Sequence, residues 1–326
     1  MPFNNRLGRF AARAASAMAL MAALASCGGG TYQVTSFVPA RVLTFGDESS
    51  MLVGPTGLKY SINGISSETQ LVDCSLLPIW TQVLAGSYGL VYTNCNPDAV
   101  ASPGGVQLAT VDATVDDLQT QVNTFTATDT FNNNDMVTVW VGMHDVLDEY
   151  AANGSGDDVN ALTAAMHARG TQLAGIVNQI ANSGARVILL TIPDMGLSPF
   201  AATENERGDF DRADLLTQMS DAFNRSLRAN VINDGSKIGL VLPDDYVKSA
   251  VRNPTGFGLI AQPNVTAGCT TITPLPECSQ DTLITDLSTG SNAPQIYLWA
   301  DATHLGSAPQ QNIGDQANGR AHSNPF

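Results

Sequence analysis

Val42-Leu43-Thr44-Phe45-Gly46-Asp47-Glu48-Ser49-Ser50 is the stretch on which the fold turns. Its first four residues are apolar or β-branched, too few for a helix, and glycine ends them at once. That is the pattern of a short strand buried on both faces. The pattern returns at Met136 to Val141, at Arg186 to Ile192 (closed by Pro193) and at Ile238 to Leu242. Between these runs, apolar residues recur at helical spacing. Val115, Leu118, Val122 and Phe125 make one stripe, with Asp116 and Asp117 in the first turn, where the helix dipole favours acids. Leu162, Met166, Leu173, Ile176, Val177 and Ile180 make a second, and Leu215, Met219, Phe223, Leu227 and Val231 a third. Pro78 to Ala85 also reads as helix, and Gly89 to Thr93 as a further strand. Strands alternating with helices imply right-handed crossovers and a mostly parallel α/β sheet covered on both faces.

The two ends carry different information. Arg6, Arg9 and Arg13 precede the apolar stretch Ala14 to Leu24, which is the build of an export signal. The stretch is shorter than the roughly 20 residues a spanning helix needs. It runs into Leu24-Ala25-Ser26-Cys27, which resembles the lipobox of bacterial lipoproteins, where that cysteine becomes the acylated first residue. Residues 1–26 are therefore expected to be a signal peptide and 27–40 an anchor with a flexible tether. Residues 41–326 are expected to form a single domain. Its partners would then be a membrane, reached through the lipid, and a small acyl substrate, and its location the cell envelope.

Cys74, Cys95, Cys269 and Cys278 remain, an even number that favours disulfides in an exported chain. Sequence order suggests Cys74 with Cys95 and Cys269 with Cys278, three pairings being possible. The second pair would staple a turn-rich excursion at 253–295. Zinc is the rival reading, but no C-x-x-C spacing is present. The 15 basic and 30 acidic side chains give −15 overall, and 12 against 30, or −18, once the three signal arginines are gone. Such a surface repels nucleic acid and anionic membrane, so neither is a partner through charge.

In a parallel sheet, functional residues collect beyond the carboxyl ends of the strands. Three motifs fall there. Gly46-Asp47-Glu48-Ser49 follows the first strand, Gly142-Met143-His144-Asp145 follows the central one, and Asp301-Ala302-Thr303-His304 follows Tyr297-Leu298-Trp299. With Ile192-Pro193-Asp194-Met195-Gly196-Leu197-Ser198-Pro199, they resemble the SGNH, or GDSL, hydrolases over most of residues 41–320. The resemblance implies a three-layer αβα sandwich with a flavodoxin-like sheet, serine-type ester or acyl hydrolysis, and no cofactor. In that chemistry a histidine takes the proton of a serine hydroxyl while an aspartate holds the other ring nitrogen. Here His304 and Asp301 match those roles. The group's oxyanion donors are the serine amide, a glycine and an asparagine, and the resemblance places Gly104 or Gly105 and His144 at the last two.

Glu48 stands where the group has its serine. Ser49 and Ser50 come one and two places later, so either needs a local rearrangement to face His304. Three readings follow. One is an ester hydrolase using the displaced Ser49 or Ser50. Another is a non-catalytic member that keeps the cleft and binds an acyl or carbohydrate ligand. The third is a metal site, because both changed positions now carry ligand types: Glu48, His144, Asp301 and His304 suit Zn²⁺ or Mn²⁺. A salt bridge from Glu48 to a protonated His304 would also lock the site shut.

Overall fold

The computed structural model describes residues 37–323 apart from 155–157 and 288–289. The expected signal, Cys27 and most of the tether lie outside the described residues. The strands are β1 (Arg41–Gly46), β2 (Leu52–Val53), β3 (Leu58–Lys59), β4 (Gly105–Gln107), β5 (Asp135–Trp140), β6 (Arg186–Leu190) and β7 (Ile238–Val241). β2 and β3 form a small antiparallel hairpin. The other five make one sheet in the order β4-β1-β5-β6-β7, every pair parallel. This is the flavodoxin-like order, in which the strand direction of travel reverses between β1 and β5 and leaves a crevice at their carboxyl ends.

The described helices are α1 (Trp80–Ser87), α2 (Val115–Thr126), α3 (Met143–Asn153), α4 (Val159–Asn182), α5 (Pro199–Asn205), α6 (Arg212–Asn230), α7 (Pro243–Arg252) and α8 (Ser307–Ala321). α4 packs along α6, α2 lies against β1, and α8 crosses β6 and β7 beside α1. The expected helical stripes are their buried faces: Leu118, Val122, Leu173, Val177, Met219 and Phe223 all enter the core. Helices thus cover both faces of the sheet, and β1 and β5 are buried throughout apart from half-buried Arg41. Among the described residues no helix is long and apolar enough to cross a membrane.

One strand expectation fails. Gly89 to Thr93 is not a strand; β4, the edge of the sheet, is Gly105–Gln107, and Tyr92 only bridges to it. Three residues of edge strand bury too little to leave an alternating pattern. Both disulfides form as sequence order suggested, Cys74–Cys95 and Cys269–Cys278. The second holds the excursion over a small separate core of Ile62, Ile260, Leu283, Tyr297 and Ala300.

Candidate functional site

Two glycines end the adjacent strands in the same backbone conformation. Gly46, the last residue of β1, has φ +122°, and Gly142, two residues past β5, has φ +121°. A Cβ at Gly46 would overlap the Trp140 carbonyl oxygen, and one at Gly142 the ring of Phe223. The left-handed twist turns the chain out of the sheet, and only glycine takes it here without strain. Gln121 on α2 pins the first turn: its Oε1 accepts from the Gly46 amide and its Nε2 donates to the Gly46 carbonyl, both at 2.9 Å. Asp47 then caps a single 3₁₀ turn, Glu48–Ser50, by accepting from the Ser49 amide.

That turn aims Glu48 into the crevice. Its carboxylate is 2 % exposed as a residue and accepts three hydrogen bonds. Oε1 takes His144 Nε2 at 2.7 Å and His304 Nε2 at 2.8 Å. Oε2 takes the backbone N–H of Asp112 at 2.8 Å. His144 enters from the first turn of α3, two residues after Gly142. His304 is set by Asp301, whose Oδ1 accepts from the amides of Thr303 and His304 while Oδ2 accepts from His304 Nδ1 at 3.0 Å. The chain on either side is fixed by the buried Trp299, whose Nε1 donates to the Leu197 carbonyl.

The expected residues therefore divide. Asp301, His304, His144 and the Glu48 position converge. Ser49 and Ser50 do not reach the histidine, whose Nε2 is met by Glu48. Ser49 is engaged through its backbone, the carbonyl accepting from Gln310, and the Ser50 hydroxyl accepts from Trp80 Nε1 in the core. Gly105 also falls away as an oxyanion donor. It pairs inside the sheet with Val42, its amide donates to Val91, and a Cβ there would press on the Tyr92 ring, so its small size serves packing. Gly104 offers its carbonyl to Val42 in the same ladder. The backbone N–H that reaches residue 48 is that of Asp112, in the loop after β4, with φ +58°. Its side chain carries no signal, because only the backbone N–H acts. Asp301 is not a ligand-type contact to Glu48; it works through His304.

The charges are set by this packing. Burial pulls the His304 imidazolium down, but Asp301 and Glu48 outweigh it and push its pKa up to about 10. His144 moves the same way: burial lowers it, and the bond and attraction to Glu48 win. Burial raises Glu48, yet the two histidines hold its carboxyl well below the usual range. Asp47, wholly buried beside Glu48, is pushed up to about 7. At neutral pH the centre is thus an ion cluster: a carboxylate between two imidazoles, with His304 charged and unable to take a proton. The contact between Glu48 and His304 that the sequence allowed is present, at 2.8 Å.

No family model matches the chain. Its sequence is 26% identical over 254 residues to the phosphatidylcholine-sterol acyltransferase of Aeromonas hydrophila, across 73% of this chain and 69% of that one. Its fold superposes on a lipase from a goat rumen metagenome with TM-score 0.51 at 12% identity, covering 87% of this chain and 98% of that structure. A lipolytic G-D-S-L family member from Veillonella parvula gives 0.41 at 11% identity, over 85% and 95% of the two chains. The fold is that of an SGNH hydrolase. In sequence the chain is similar to that acyltransferase, and Glu48 stands where the motif resemblance expects a serine.

Proposed function

We propose that this chain is a GDSL-like ester hydrolase whose attacking group is water, activated by Glu48, in place of an activated serine. The observation that supports it is the convergence on residue 48 of the Asp301–His304 pair and of two N–H donors, His144 Nε2 and Asp112 N. A seated ester would draw the His144 and Asp112 N–H groups from Glu48 to its own carbonyl oxygen, which restores Glu48 as a base and leaves the His304 cation for the departing oxygen. Water gives a proton to Glu48 as its oxygen bonds to the carbonyl carbon. The C–O bond to the alcohol breaks and His304 gives the departing alkoxide its Nε2 proton. Glu48 then returns its proton to His304, leaving a carboxylic acid and an alcohol.

Turnover of short p-nitrophenyl acyl esters tests this. The double variant Ser49→Ala with Ser50→Ala is expected to keep the rate, and Glu48→Gln to lose at least about a hundredfold. Loss of turnover in the serine variant would return the nucleophile to Ser49 or Ser50.

A second reading is favoured by one contact set: Glu48 itself fills the donors a carbonyl oxygen would need. A non-catalytic cleft that binds an acyl ligand predicts a ligand-dependent rise in melting temperature with no turnover. For location, we propose lipid anchoring at Cys27, supported by the basic, apolar and small-residue order of 6–27. Mass spectrometry of the mature N-terminus should find acyl chains on Cys27, and Cys27→Ser should release the protein from membranes.

A further inference from the structure

We infer that Glu48, His144 and His304 form a mononuclear site for a divalent transition-metal ion, with Zn²⁺ the best match. The site coincides with the centre assigned above to ester hydrolysis, so binding is tested apart from turnover. One carboxylate oxygen and two imidazole nitrogens lie within 4.8 Å of one another. Both Nε2 atoms are aimed at the same oxygen, at 2.7 and 2.8 Å. Bonds of about 2.0–2.2 Å around tetrahedral zinc set neighbouring ligand atoms about 3.3 Å apart. Opening each nitrogen–oxygen contact by about half an ångström reaches that spacing, a change side-chain torsions can supply.

The groups behind the three ligands are arranged as a metal centre requires. A ligating imidazole is oriented and made more basic when its other nitrogen donates to a carboxylate, and His304 Nδ1 donates to Asp301. A ligating carboxylate is fixed when its free oxygen is hydrogen-bonded, and Glu48 Oε2 accepts from Asp112 N. The carboxylates of Glu48 and Asp301 together match the charge of a divalent ion. Both imidazoles keep an exposed edge, 13 % for His144 and 11 % for His304. Three protein ligands facing a cleft leave a fourth position for water, which a bound zinc ion would ionise near neutrality.

The test uses protein stripped with chelator and titrated with ZnCl₂ by calorimetry, with Co²⁺ as a visible-spectrum probe of tetrahedral N/O ligation. One ion per chain is expected. His144→Ala and Glu48→Gln should each weaken binding at least about a hundredfold, and Asp301→Asn about ten- to a hundredfold. His167→Ala, on exposed α4 surface, should leave it unchanged. Circular dichroism of each variant confirms folding. Absence of binding, or undiminished binding in folded His144→Ala, overturns the inference. Ester turnover that survives chelation, with no Zn²⁺ bound, removes the metal and leaves the hydrolase; Zn²⁺ bound at the expected ratio without turnover does the reverse.

Discussion

Glu48→Gln keeps the shape of the central side chain and removes its charge, so its cost can be worked from the contacts. In metal-free protein one carboxylate accepts from His144, His304 and Asp112. An amide has one oxygen and one NH₂, so either way round a donor faces a donor. If the oxygen keeps the imidazoles, the NH₂ opposes the Asp112 amide, and a buried donor left unmade costs about 1–3 kcal/mol. The two remaining bonds lose their charge assistance, roughly half their strength. About 3 kcal/mol in all lowers the melting temperature of a chain this size by about 6 °C. The sign with pH follows from His304, whose folded pKa of about 10 exceeds its ordinary 6.5. Its contribution is full below 6.5 and is lost as pH rises through 10. The lowered Glu48 contributes above its ordinary 4.5 and is lost with acid. The deficit of Glu48→Gln should therefore be greatest between about pH 5 and 6.5 and shrink toward pH 10. Calorimetry of chelator-treated protein across that range measures it. The chain has only four histidines, so imidazole NMR can follow His304 directly. A deficit equal at pH 6 and pH 10, or a native His304 titrating near 6.5, would refute the reasoning.

Gly46→Ala should cost about 4 kcal/mol or more in a denaturant melt, because its Cβ has no room beside the Trp140 carbonyl and its backbone is left-handed. Removing the Cys74–Cys95 bridge by double alanine substitution should cost about 3 kcal/mol from the closed loop between residues 21 apart, read from the urea midpoint. Asp145 is pushed up to about 6 by burial, which its bond from the Val115 amide only partly offsets. A raised carboxyl loses stability as pH rises from its ordinary 3.8 through 6, so Asp145→Asn should flatten the native decline in urea midpoint over that interval.

Much of the fold was legible because its signals are local. β1, β5, β6 and β7 are apolar runs, and α2, α4 and α6 carry their buried stripes in plain spacing. Short β4 was misplaced for want of such a signal. At the site, the positions of Asp301, His304 and His144 followed from motifs at strand ends. Asp112 could not be found that way, since it acts through a backbone N–H that every residue but proline has, and its left-handed turn leaves no mark on a side chain. Gly105 misled for the converse reason: glycine marks close packing as readily as it marks an exposed amide.

By itself the sequence determined that strands and helices alternate and that glutamate stands where serine is expected. Only the tertiary structure decided what that glutamate does. Its two histidine partners lie 96 and 256 residues away, and the parallel crossovers bring them to one carboxylate oxygen. Spacing along the chain holds no measure of that distance. The sheet order creates it, by placing β1 beside β5 and opening the crevice at their common end.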